Sequence, residues 1–261
     1  MQPPVFALYC KNVVDVQQYC ALGRQYLLIK SIYMMAENAA HNRRSIDEKQ
    51  TTGGARMIAI IDYDAGNIKS VEKALHYLGE ETVVSRDPQV LLSADKVILP
   101  GVGSFGDAMN NLNKFGLVPV IRELTEKETP FLGICLGLQL LFESSDETPG
   151  VEGLGILKGK IVKIPPAPGL KIPHMGWNSL HLQNDGRLFK GIPEETYVYF
   201  VHSYYLQAKE PEIVKATAQY GVTIHASVEK DNIFACQFHP EKSSKYGLKI
   251  LENFAKLGKE A

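Results

Sequence analysis

From Met57 onward, short apolar blocks of strand length alternate with stretches whose apolar residues recur at helical spacing. MIAIID predicts a strand, and the loop YDAGN leads into IKSVEKALHYLG, a helix pattern whose closing Gly79 suits a helix C-terminus. ETVVS and KVILP predict two further strands, and DAMNNLNKFG and LVPVIRELTEK two further helices. In PFLGICLGLQLLF, residues 130–142, a short strand over Phe131–Ile134 passes directly into a helix-like pattern from Leu138 to Phe142. After about Gly150 the pieces become shorter and β-like: ILKGKIVKI, WNSLHL, TYVYFVHSYYL, EIVKATAQY and IFACQF, with a last helix in SKYGLKILENFAKL. This order predicts an α/β domain, an open and mostly parallel sheet with helices on both faces and extra β-strands in its C-terminal half. Ligands of such sheets bind at the carboxyl ends of the strands.

Residues 1–56 have a different texture. They hold 7 Lys/Arg and 4 Asp/Glu, a charge of +3, whereas the remaining 205 residues carry −4. Apolar patches in VFALY and QYLLIKSIYMM precede a polar run, HNRRSIDEKQTTGGAR, and none of it carries recognisable chemistry. The chain therefore divides into an N-terminal extension, 1–56, and a domain, 57–261. Met57 is itself a possible initiator, and codons for Gly53-Gly54 can spell the purine-rich GGAGG that precedes a bacterial start. The extension is expected to be leader translated from a misplaced start or a disordered appendage. The competing expectation is a helix pair that packs through YLLIKSIYMM.

At 261 residues and 45% hydrophobic composition, the chain can bury a full core. A net charge of −1 gives no reason to invoke nucleic acid or an anionic membrane as partner. The four cysteines, at 10, 20, 135 and 236, form no CxxC pair, so neither a zinc site nor a disulfide framework is indicated, and a reducing cytoplasmic setting fits. No membrane span is expected, because Lys11, Asp15, Arg24 and Lys30 interrupt the most apolar part of the N-terminus. The same stretch makes a poor signal peptide.

Chemistry enters at Cys135. A free cysteine in an apolar run is usually a small buried hydrophobe. Here Gly133 and Gly137 flank it at a strand-to-helix junction, where glycine would weaken either element. G-x-C-x-G has the logic of a nucleophile elbow: a sharp turn exposes the side chain, glycines relieve crowding, and helix amides favour the reactive thiolate. Two other strand ends complete the requirements. In LPGVGSFGD, Gly101 and Gly103 bracket Val102 and let backbone amides approach an oxyanion, although an ordinary glycine-rich loop has the same composition. In FACQFHPEKSS, Pro240 ends a strand between His239 and Glu241, an imidazole that can take the thiol proton and a carboxylate that can orient it. Cys236 lies within that strand and reads as core.

Together GICLG, PGVGSFGD and FHPE resemble the class I (triad) glutamine amidotransferases, whose sheet is flavodoxin-like. IIDYDAGN, IPHMGWN, YFVHSYY and FHPEKSS are similar to the glutaminase subunits of imidazole glycerol phosphate synthases within that family. The resemblance covers residues 57 to about 258 and does not extend to the first 56. It implies glutamine hydrolysis through a Cys135 thioester, with His239 as acid and base and Glu241 holding it. It also implies an oxyanion hole from the amides of Gly101, Val102, Gly103 and Leu136, and glutamine contacts from Gln139, Ser203 and Tyr204. Ammonia would pass to a (β/α)8 cyclase subunit in a heterodimer, across a surface that includes Trp177, Tyr199 and Lys242. No metal or organic cofactor is implied. A glutaminase feeding another synthase, a stand-alone γ-glutamyl or peptide hydrolase, and a catalytically silent regulatory relative are the alternatives.

Overall fold

The computed structural model describes residues 57–183 and 185–258. The expectations for residues 1–56 lie outside them.

Five short strands build the parallel part of the sheet: β1 (Met57–Ile61), β2 (Glu81–Ser85), β3 (Lys96–Gly101), β4 (Phe131–Cys135) and β13 (Ile233–Cys236). They pair in parallel, in the order β2-β1-β3-β4-β13. Three antiparallel strands extend the sheet past β13: β12 (Val222–Lys230), β11 (Val214–Tyr220) and β8 (His181–Leu182). Outside this eight-stranded sheet, β5 (Ser144–Ser145), β6 (Gly159–Lys163) and β10 (Tyr204–Ala208) form a second, and β7 (His174–Ser179) pairs with β9 (Tyr197–His202).

Alternation along each strand sends side chains to two core layers. Ala59 and Ile61 of β1 join one layer, with Leu91, Met109, Leu112, Ile121 and Leu124 from the helices α2 (Pro88–Ser93), α3 (Phe105–Lys114) and α4 (Leu117–Glu126). Ile58 and Ile60 join the other, with Val71 and Leu75 of α1 (Ile68–Tyr77) and Ile250, Leu251 and Phe254 of α6 (Ser244–Lys256). Helices thus cover both faces. The strands buried this way, β1, β3, β4 and β13, are the ones the sequence shows as apolar runs, whereas β2 lies at the sheet edge.

Three elements differ from the sequence pattern. Strand β12 has only three consecutive buried residues, Ala226 to Val228, and its polar remainder hides it from an apolar-run reading. Helix α2 is a six-residue piece after ETVVS, started by Pro88 and by the Asp87 carboxylate, which accepts from the Gln89 amide at 2.8 Å. The helix after the elbow, α5 (Leu136–Leu140), is shorter than its apolar pattern. The carbonyls of Leu140, Leu141, Phe142 and Glu143 accept from the amides of Leu154, Leu157, Gly155 and Gly153, so tertiary hydrogen bonds replace the helical ones. One turn of helix contributes oriented amides rather than a summed dipole.

Candidate active site

Glycines decide the shape of the nucleophile turn. A Cβ on Gly137 would stand 1.9 Å from the carbonyl oxygen of Leu99, and one on Gly133 would stand 2.7 Å from that of Gly137. Only glycine at both positions lets the chain leave β4, reverse over its own strand and pass against β3. Cys135 takes the strain at the apex, with φ 55° and ψ −105°. Non-glycine residues occupy this region rarely and only where the surroundings enforce it. The turn delivers the Cys135 side chain, 6% exposed, to a cleft of about 340 Å³.

Val102, Gly103, Leu136, Gln139, Ser203 and Tyr204, all expected from the sequence, line that cleft with Cys135. Gly101 is paired with Cys135 across β3 and β4, at the root of the loop rather than on the cleft wall. The loop after β1 fixes this root: the buried Tyr63 hydroxyl donates to the Pro100 carbonyl at 2.8 Å. Arg86 holds the same loop through Asp62 at 2.7 Å and Asp64 at 2.6 Å.

His239 and Glu241 come from the end of β13. Their side chains are fully buried, and His239 Nδ1 donates to Glu241 Oε1 across 2.9 Å. Burial works against charge on the imidazole, but the Cys135 sulfur and the Glu241 carboxylate outweigh it and raise His239 to about 9. The sulfur acts across a gap, because His239 Nε2 is buried without a hydrogen-bond partner among the described residues. Burial raises Glu241 as well, yet His239 and Asn67 hold it below the usual carboxylate range. The bond to Glu241 fixes the ring orientation with a proton on Nδ1 and leaves Nε2 without a partner among the described residues. Cys236 is fully buried, and desolvation first, then the neighbouring Glu241 and Cys135, push its thiol well up. It is core.

Asn67 was not singled out by the sequence pattern. Its side-chain amide donates to Glu241 Oε1 at 2.8 Å and lies 3.3 Å from His239 Nδ1; both nitrogens there are donors, so the carboxylate contact is the bond. Asn67 adopts φ 75° at the start of α1. Asparagine tolerates this left-handed conformation, and the GN pair ending the YDAGN loop was the available signal. Also missed were His174 and His202, whose rings hydrogen-bond at 2.9 Å with both residues buried. Trp177 and Tyr199 sit opposite each other on β7 and β9, their rings 6.2 Å apart. Trp177 is 52% exposed, so core packing does not account for it. Lys242 is exposed on the turn after Glu241. No cluster of metal-ligating side chains occurs among the described residues.

A cysteine elbow at one parallel strand end and a buried His–Glu pair at the next, on a doubly covered sheet, form an arrangement whose chemistry suits cysteine-dependent acyl transfer. Residues 59–257 match the family model for glutamine amidotransferase class-I, and the chain belongs to that family. Within it, the chain is 52% identical over 206 residues to the imidazole glycerol phosphate synthase subunit HisH of Moorella thermoacetica, covering 79% of this chain and 97% of that protein. The HisH of Aquifex aeolicus is 53% identical over 196 residues, 75% of this chain and 94% of the relative. The HisH of Methanocaldococcus jannaschii is 50% identical over 201 residues, 77% and 100%. Among solved structures, PurLQS from Thermotoga maritima superposes with a TM-score of 0.62 at 21% identity, covering 77% of this chain and 98% of that one. That likeness extends to the fold.

Proposed function

We propose that this chain is the glutaminase subunit of an imidazole glycerol phosphate synthase and acts in histidine biosynthesis. Identity near 50% to HisH proteins over nearly their whole length supports the assignment. The observation that carries the chemistry is the strained Cys135 elbow beside the buried His239–Glu241 pair.

In this reading glutamine enters the cleft with its side-chain amide at Cys135. Gln139, Ser203 and Tyr204 hold the substrate. The Gln139 amide nitrogen is already committed to Tyr204 O and Gln237 Oε1, so its carbonyl oxygen is the group that meets glutamine. The sulfur bonds to the amide carbon, and the carbonyl electrons move to oxygen, where the amides of Val102, Gly103 and Leu136 receive the charge. Collapse breaks the C–N bond as His239 Nε2 supplies the proton that leaves with ammonia. His239 then takes a proton from water as it attacks the thioester, and glutamate departs. Glu241 keeps Nδ1 protonated and Nε2 aimed at the sulfur. Ammonia passes to a (β/α)8 cyclase subunit in a heterodimer, which uses it to make imidazole glycerol phosphate and an aminoimidazole carboxamide ribotide. The exposed Trp177, with Tyr199 and Lys242, belongs to the docking surface. We further propose that residues 57–261 are the catalytic domain, and that the protein works in the reducing cytoplasm. In support of the domain bounds, the eight-stranded sheet of the described residues lies between two core layers.

The test is glutamate release with and without the cyclase subunit. Wild type is expected to be slow alone and strongly stimulated by the partner, Cys135→Ala inactive, and Cys236→Ala largely active. Full activity in Cys135→Ala overturns the mechanism, and rapid turnover by the single chain favours a stand-alone hydrolase.

A further inference from the structure

A buried primary amide carries two donors and an acceptor, and each needs a partner. Gln237 is such a group, 0% exposed, its backbone amide anchored to Ala226 O at 2.9 Å. Its orientation follows from its neighbours. The Tyr204 carbonyl can only accept, so the Gln139 atom 3.1 Å from it is the amide nitrogen. The same nitrogen lies 3.0 Å from the Gln237 side chain, which must present its oxygen there. The remaining Gln237 atom, the NH2, then faces Cys135 Sγ at 3.7 Å, within reach of a large, polarisable sulfur acceptor.

The Tyr204 carbonyl is held from a second side. His202 Nδ1 donates to it at 2.9 Å, so Nε2 of the neutral ring accepts from His174 Nδ1 at 2.9 Å. His174 Nε2 accepts from Asn178 Nδ2 at 3.3 Å, and Asn178 also donates to Gln219 O at 2.9 Å. Donors therefore converge on the Tyr204 carbonyl from both sides, His202 from one and Gln139 from the other. They fix Gln139, which fixes Gln237, whose NH2 is left for the nucleophile.

We propose that Gln237 is a catalytic residue whose side-chain N–H donates to Cys135 Sγ and stabilises the thiolate. The proposal rests on the glutaminase reading and adds a contact to the reacting atom. When sulfur bonds to the amide carbon, its charge leaves and the Gln237 contact weakens. When water attacks the thioester and the S–C bond breaks, the electron pair returns to a sulfur that Gln237 already faces. The other titratable groups around the sulfur are His239, Tyr63, Cys236, His202, Tyr204 and Glu147. Only His239 among them can donate to sulfur as a cation. Gln237 supplies a donor that stays in place after His239 has given up its proton.

Two variants test this. Gln237→Glu keeps the shape and an acceptor for Gln139 but sets oxygen against sulfur; Gln237→Met keeps the length and removes the donor. Iodoacetamide labelling of Cys135, read by mass of the peptide that carries it across a pH series, reports the thiolate fraction. Labelling at pH 7 is expected to slow about tenfold in both variants, the size of a lost hydrogen bond to a charged group. In the two-subunit complex, kcat should fall about tenfold while the KM for glutamine stays within about twofold. Labelling curves that superimpose on wild type overturn the proposal, as does a rise in KM with unchanged kcat. A purely structural Gln237 would lower the melting temperature and leave the labelling curve in place. Labelling does not require glutamine as substrate, so a wild type inert toward glutamine would overturn the glutaminase reading and leave the Gln237 question answerable.

Discussion

Asn67 is the residue through which the first loop of the domain reaches the Glu241 carboxylate, 174 positions away in sequence. Glu241 Oε1 accepts from both Asn67 and His239, while its Oε2 is buried without a partner among the described residues. The carboxylate is thus held by one oxygen, and Asn67 fixes its angle. Asn67→Ala should lower the glutaminase kcat about tenfold with little change in KM, as expected for one lost charge-assisted bond. Steady-state kinetics of the complex check this, and an unchanged kcat would leave Asn67 as a helix-start residue only. Asn67→Asp should be worse, because it places a second carboxylate against Glu241.

Individual elements show where local pattern and tertiary contact part company. The turn from β4 to α5 is possible because residue 137 has no side chain, which would otherwise collide with the backbone of β3. Gly137→Ala should therefore cost about 3 kcal/mol, at the upper end for overpacking, since a strand backbone cannot move aside. Urea denaturation measures it, and a loss under about 1 kcal/mol would mean that β3 yields. The two glycines were legible in the sequence, and so was their purpose. The length of α5 was not, because the competing hydrogen bonds come from residues 153–157. Strand β12 escaped for a similar reason: its place between β11 and β13 is set by pairing rather than by an apolar run.

Across the whole domain, buried histidines of opposite tendency set the response to pH. Burial lowers His174 to about 4 and His202 to about 3, so from pH 6.5 downward protons favour the unfolded chain and stability falls toward those values. His239 is raised to about 9, so its contribution is complete below 6.5 and is lost as pH rises from 6.5 through about 9. Urea midpoints should therefore drop on both sides of neutrality. In His174→Gln the drop between pH 7 and pH 5 should be smaller than in wild type; an equal drop would show that this pair is not the group being protonated. Residues 57–261 expressed alone should fold cooperatively and respond to the cyclase. An insoluble or unresponsive fragment would make residues 1–56 part of the working protein. By itself the sequence determined the parallel sheet, its two helical layers and the elbow, and it placed Cys135, His239 and Glu241 at strand ends. Those features depend on local period, on glycine and proline at set positions, and on neighbours two residues apart. Only the tertiary structure decided that Asn67 meets Glu241, that His174 meets His202, and that Gln139 and Gln237 form a path to the sulfur. Each of those contacts joins residues 28 to 174 positions apart. The register of strands brings them together, and a polar residue standing alone in a sequence gives no sign of which distant donor or acceptor it will face.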